Sequence, residues 1–227
     1  MKVEILFEDN HLLVVNKPVN MPVQEDESED PDLLSYLKQY IKEKYNKPGN
    51  VFLGLVHRLD RPAGGVMVYA RTSKAASRLS EQLRKGEFHK SYLAVVNHKP
   101  PEHSGSMRHF LIKNRKTNIV SATSVKKDGG KEALLDYKVL GNSQGLSLVR
   151  IKLHTGRSHQ IRVQMATSGC PLWGDQKYGK DSAKVGQQLA LWAVKLVFRH
   201  PVRDERMEFI CLPPKKFPWN AFPPVKP

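Results

Sequence analysis

The sequence is poor in cysteine, with only Cys170 and Cys211, 41 positions apart, in 227 residues. That scarcity excludes a disulfide framework, offers no paired thiolate spacing for a zinc ion, and fits a reducing cytoplasm. Acidic residues are also few, 22 against 37 lysines and arginines, so the formal net charge is +15. An excess of this size favours a polyanionic partner, through long-range attraction and counterion release. No apolar run approaches the roughly 18 to 20 residues needed to span a bilayer. The opening MKVEILFEDN turns acidic too early for a secretory signal. What is present is an ordinary apolar content, in a chain long enough for one large domain or two small ones with a real core.

The most informative stretch is VFLGLVHRLDRPAGGVMVYAR, Val51 to Arg71. Its apolar runs, Val51 to Val56 and Val66 to Ala70, read as strands. The polar break between them carries His57, Arg58, Asp60 and Arg61, then Pro62 and the pair Gly64 and Gly65. This predicts two strands joined at a tight, glycine-permitted turn, with one carboxylate between two guanidinium groups. Arginine keeps its proton in proteins, so Arg58 and Arg61 favour the ionised form of Asp60. An ionised, held carboxylate is what a nucleophile or a base requires. The glycines would let a ligand approach the backbone closely. The plainer reading of the same residues is an aspartate opening a turn, with both arginines solvated.

Before this stretch, Val3 to Phe7 and Leu12 to Val15 read as strands, the second ended by Asn16-Lys17-Pro18. Gln24 to Asp32 is an acidic surface segment. Asp32 to Tyr45 has Leu33, Leu34, Leu37 and Ile41 at helical spacing, with Asp30 or Asp32 as its cap. Beyond the stretch, Ser73 to Lys85 predicts a second helix, with Ala76, Leu79 and Leu83 inward and Gly86 as its stop. Phe88 to Asn97 reads as a strand, and Met107 to Ser124 as one or two strands with a cationic cluster at Lys113, Arg115 and Lys116. Lys131 to Leu140 and Leu146 to Leu153 pair across Gly141 to Gly145. The proline-rich tail from Pro213 is expected to pack Phe217, Trp219 and Phe222 onto the body.

The second chemically loaded stretch is HTGRSHQIRVQMATSGCPLWGDQKYG, His154 to Gly179. Ser158 reads as an N-cap and Gly169 as a C′ glycine, which predicts a helix from Ser158 to Ser168. On it His159, Arg162 and Ala166 would share one face, with Ile161 and Met165 on another. The helix N-terminus, with Arg157 just before it, suits a phosphate. A surface helix with its arginine in water is the alternative reading.

Taken together these residues resemble the RluA family of RNA pseudouridine synthases. HRLDRPAGG resembles that family's HRLD signature, and TGRSHQIRVQMATSGCPLWGDQKYG its second block. Smaller matches, HLLVVNKPVNMPV, KSYLAVV and GKEALLDYKVL, fill the interval in the family's order, so the resemblance covers nearly the whole chain. It implies an α+β fold: one catalytic domain over residues 1–227, with a core to 212 and the tail packed on it, a mixed, largely antiparallel sheet with flanking helices, and a central active-site cleft. It also implies isomerisation of a uridine in tRNA or rRNA, in which the N1 glycosidic bond breaks and the base is rejoined through C5.

Asp60 corresponds to the family's essential aspartate. It attacks C6 of the base, attacks C1′ of the sugar or removes a proton from C2′, and each route needs an ionised carboxylate. Arg162 matches the arginine that pairs with that aspartate, and Tyr92 the tyrosine stacked on the target base. Arg58 matches the arginine that fills the gap left by the flipped nucleotide. His57, Arg61, Arg157, His159 and Ile161 are the remaining candidate substrate contacts. A stacked, paired base cannot be released and reattached, so the nucleotide must be extruded. The reaction needs no metal or organic cofactor.

The resemblance further implies a cytoplasmic monomer with RNA as its partner, and with neither a membrane nor an obligate protein partner. Two features depart from the family. Ala63-Gly64-Gly65 replaces the usual Thr-Ser-Gly, removing two hydroxyls, and the catalytic pattern begins within the first dozen residues, leaving no room for the small RNA-binding domain many relatives carry. RNA selection is then expected of the catalytic domain's own surface, with Lys113 to Lys131 as part of it. A binding protein that keeps the fold without the chemistry is the competing class. A glycosidase would need a second acid nearby, which neither block shows.

Overall fold

Two apolar runs, residues 12–15 and 66–70, lie fully buried against each other as antiparallel strands, Leu12 facing Ala70 and Val15 facing Met67. They are the centre of the first of two compact units in a computed structural model that describes residues 3–179 and 182–225. Unit 1 takes in the chain as far as Lys90 and then Ala193–Leu212, and unit 2 takes in Ser91–Trp192 and the chain from Pro213 onward. The fold is α+β, and every strand pairing with an assigned register is antiparallel.

In unit 1 the strands are β1 (Glu4–Glu8), β2 (Leu12–Lys17), β3 (Gly54–Leu55), β4 (Gly64–Ala70), β10 (Leu191–Arg199) and β11 (Arg206–Ile210). They run in the order β1-β2-β4-β10, with β3 on β4 and β11 on β10. β2 continues two residues beyond the predicted end, because Pro18 removes only its own N–H from the ladder and leaves Lys17 free to pair with Gly65. The predicted strand at Val51 to Val56 shrinks to Gly54–Leu55. Gly64 and Gly65 belong to β4 rather than to the turn before it. Gly65 has φ +117°, and a Cβ there would lie 2.3 Å from the Ala193 carbonyl oxygen. Its missing side chain therefore admits a neighbouring strand, not a ligand.

The two helices of unit 1 follow their sequence signals. Helix α1 (Leu33–Lys44) is capped by Asp32, which accepts from Ser35 N–H at 3.0 Å, and it buries Leu33, Leu37 and Ile41. Helix α2 (Ser73–Lys85) is capped by Thr72 and stopped by Gly86 at φ +75°. Its fully buried residues are Ala75 and Leu79, with Ala76 and Leu83 half-buried.

The sheet of unit 2 is built of β5 (His89–Asn97), β6 (Ser104–Asn114), β7 (Ile119–Thr123), β8 (Lys131–Ser143) and β9 (Leu146–Leu153), in the order β5-β9-β8-β6-β7. The β8–β9 turn has two residues, not five. Gln144 and Gly145 both take positive φ, 51° and 75°, as the tight hairpin turn requires, and Gly141 is absorbed at a register shift within β8. Two tail aromatics make contacts in this unit. Phe222 is buried, and Phe217 meets Trp173 edge-on at 5.2 Å between centroids. Residues 226–227, its end, lie outside the described residues.

Helix α3 (Gln160–Thr167) begins two residues later than predicted. His159 occupies the N-cap in a left-handed conformation, φ 52°, and its side chain caps nothing. The Gln160 side chain ties the turn instead: its Oε1 accepts from Arg157 N–H at 3.0 Å and from the Thr155 hydroxyl at 2.8 Å, and its Nε2 donates to Leu134 O at 3.1 Å. Six consecutive residues, Gln160 to Met165, are buried, so α3 has no wet arginine face; His159, just outside the helix, and Arg162 still meet the same partner, Tyr178.

Candidate active site

Asp60 lies in the non-regular segment between β3 and β4, at the first position of a turn closed by Ala63 N–H on the Asp60 carbonyl at 2.9 Å. Its side chain is half-buried. The turn is held from beneath by Lys17, whose side chain is wholly buried. Lys17 Nζ donates to three carbonyl oxygens: Pro18 at 2.9 Å, Arg61 at 3.0 Å and Ala63 at 2.7 Å. Burial pushes the Lys17 pKa down to about 7, opposed by the Asp60 carboxylate and reinforced by Arg61. Three acceptors for three N–H donors complement the ammonium form, so the turn is built around the charged lysine.

Lys17 is the functional residue the sequence reading passes over. The signal for it was present: it follows Leu13 and Val15 at period two, on the inward face of β2, where a charge is out of place.

Arg61 does not act as predicted. Its guanidinium is bonded to Ser28 Oγ at 2.9 Å and ion-paired with Asp30, so the acidic segment engages it. Within unit 1 the cation set beneath the Asp60 turn is Lys17, not Arg61. Arg58 is exposed. His57, a candidate substrate contact, is instead part of the core. It is 7% exposed, its Nε2 accepts from Val68 N–H at 3.2 Å, and its ring meets Phe88 edge-on at 5.3 Å. Burial, with a smaller contribution from Lys90, pushes its pKa down to about 3, so it is neutral at physiological pH.

In unit 2 the candidate residues fall into one buried network and several separate positions. Arg162 forms a two-point pair with Asp175, Nε to Oδ2 at 2.8 Å and Nη2 to Oδ1 at 2.7 Å, with both side chains buried. Asp175 Oδ1 also accepts from the N–H groups of Lys177 and Tyr178. The Arg162 guanidinium lies 5.1 Å from the centre of the Tyr178 ring, whose hydroxyl is 2.7 Å from His159 Nδ1 and accepts from Val120 N–H at 2.9 Å. A planar cation held in this way has one orientation. Asp175 and Tyr178, both in the second loaded stretch, are functional candidates that the sequence reading does not single out.

Ile161 is buried inside α3. Tyr92 is buried on β5, opposite Ile151 of β9. Arg157 is exposed, with its Nε donating to Glu132 O at 2.8 Å. Among the described residues no three His, Cys, Asp or Glu side chains form a metal-binding group, and no helix is long and apolar enough to cross a membrane.

A carboxylate on a lysine-clamped turn and a buried arginine network, in an α+β chain of net charge +15, suit chemistry on a polyanionic partner. The chain belongs to the RNA pseudouridylate synthase family, whose sequence model matches residues 11–167. It is 35% identical over 207 residues to the uncharacterized RNA pseudouridine synthase YhcT of Bacillus subtilis, covering 90% of this chain and 66% of the relative. To the ribosomal large subunit pseudouridine synthase D of Zymomonas mobilis it is 33% identical over 220 residues, covering 91% and 68%. The chain thus spans about two thirds of the length of the curated relatives it matches. Its fold is similar to that of human RNA pseudouridylate synthase domain containing 4, with a TM-score of 0.78 at 24% identity over 93% of this chain and 89% of that one.

Proposed function

We propose that this protein converts uridine to pseudouridine within structured RNA, tRNA or rRNA, with Asp60 as its catalytic carboxylate. The observation that carries this reading is the Asp60 turn. An aspartate in the family's signature position is presented on a rigid loop by a buried lysine that bonds two of the loop's own carbonyls. In the reaction the C1′–N1 bond breaks, the base turns, C1′ bonds to C5, and the C5 proton is lost while N1 gains one. Atoms and electrons balance without an outside reagent. Tyr92, beside the base, and Arg162 take part in the same chemistry, and Arg58 fills the space left by the extruded nucleotide. The cationic excess offsets part of the cost of unstacking through phosphate contacts.

Asp60→Asn and Asp60→Ala are expected to abolish pseudouridine formation while RNA affinity stays within about threefold, since the carboxylate makes no favourable contact with phosphate. Near-normal turnover by either variant would overturn the assignment. The competing reading, an RNA-binding protein without chemistry, is motivated by the Ala63-Gly64-Gly65 departure. It requires that RNA from cells lacking the gene keeps an unchanged pseudouridine map.

A further inference from the structure

We infer that unit 2 carries a second nucleotide pocket, which binds one unpaired nucleotide of the RNA without reacting with it. This rests on RNA being the substrate. On the sheet of β6, β7 and β8, alternation puts Leu111 and Lys113 on one face, and the registers Leu111↔Lys131, Lys113↔Val120 and Leu111↔Ala122 put Lys131, Val120 and Ala122 on the same face. At one end of that face Leu111, Val120 and Ala133 pack with Val163 of α3. Beside this cluster opens a pocket of about 410 Å³, floored by Leu111 and Val120 and rimmed by Lys113, Arg115, Lys131 and Arg157.

The charge on the rim is uncompensated. Among the described residues no acidic side chain lines the pocket. Glu132, next to Lys131, points to the opposite face of β8 and pairs with Arg108 at 2.6 Å. Among the described residues Lys113, Arg115 and Lys131 have no ion-pair partner, and Arg157 is anchored through Nε, which leaves its terminal nitrogens to a ligand. Four cations concentrate an anion, and an apolar floor asks for a flat apolar body. A nucleotide supplies both, phosphate to the rim and base to the floor. A duplex does not, because its bases are stacked away from any pocket. With no carboxylate in the lining, the pocket holds its nucleotide and leaves it unchanged.

The test is the triple variant Lys113→Ala, Arg115→Ala and Lys131→Ala, with Tm measured to show that it folds. Its binding to a labelled, uridine-rich single strand of about 12 nucleotides is compared with binding to the same sequence in a duplex, across a salt series. The expected result is an affinity loss of at least about tenfold for the single strand and under about threefold for the duplex. The salt slope should fall by about 0.7 to 1.4, at about 0.7 per lost phosphate contact, since one nucleotide brings its own phosphate and its neighbour's. Inorganic phosphate should not compete at concentrations that leave the ionic strength unchanged.

Unchanged single-strand affinity, equal losses on both RNAs, or displacement by inorganic phosphate would each overturn the pocket. Should the triple variant fail to fold, Lys131→Gln alone must lower single-strand affinity about threefold with a slope change of about 0.7. Pseudouridine formation by the wild-type protein is scored separately. If product is absent but the binding difference is intact, the activity falls and the pocket stands; product without the difference removes the pocket alone.

Discussion

Replacing Lys17 by Met keeps the length of the side chain and deletes its three donors. The three bonds are not equal. That to Ala63 O is fully buried, while those to Pro18 O and Arg61 O are part-buried, where water can replace the amine. An orphaned buried carbonyl costs about 1–3 kcal/mol, and a rehydrated one about 1 or less. Against this, methionine avoids the desolvation of a buried ammonium, which itself amounts to several kcal/mol. The opposing terms are of similar size, so the net change is expected to stay within about 2 kcal/mol, read as a small shift of the denaturant midpoint at constant slope.

The effect of Lys17→Met on activity should be larger than its effect on stability. Lys17 bonds Arg61 O and Ala63 O, so without it the Asp60 turn loses its floor. A displacement of about 1 Å at a reacting group costs on the order of 100-fold. Pseudouridine formation should therefore fall about 100-fold in kcat with KM within about threefold, because RNA contacts are untouched. A folded variant that keeps its full kcat would refute the positioning role.

Asp175→Asn removes the carboxylate from a buried two-point pair with Arg162, and should lower stability by about 3–5 kcal/mol in a chemical denaturation experiment. His57 makes stability depend on acid. Its pKa is pushed from the ordinary 6.5 to about 3 in the folded chain, so the unfolded chain binds the proton first, and its contribution is complete above pH 6.5 and lost as pH falls towards 3. Between about pH 6.5 and 5 this amounts to about 2 kcal/mol. His57→Gln, uncharged throughout and still able to accept from Val68 N–H, should show a pH dependence flatter by that amount in parallel unfolding curves.

The sequence by itself determined most of what is local or periodic. The bounds of helix α2 were legible to the residue, because the apolar spacing and Gly86 each act within one or two turns of chain. The strands up to Leu153, the cationic excess and the signature aspartate were legible for the same reason, whereas β10 and β11 were not read from the sequence. Tertiary structure decided the rest, where a residue's partner is distant in sequence. Gly65 looks like a turn glycine until Ala193 is seen against it. Ser158 looks like a cap until the Gln160 side chain takes over the turn. Arg61 looks like the guard of Asp60 until Asp30 claims it, and Lys17 looks like the end of a strand until Arg61 O and Ala63 O converge on its amine. Spacing along a chain reports which face a side chain takes. For Lys17, what waits on that face is settled only when segments more than 40 residues apart are folded together.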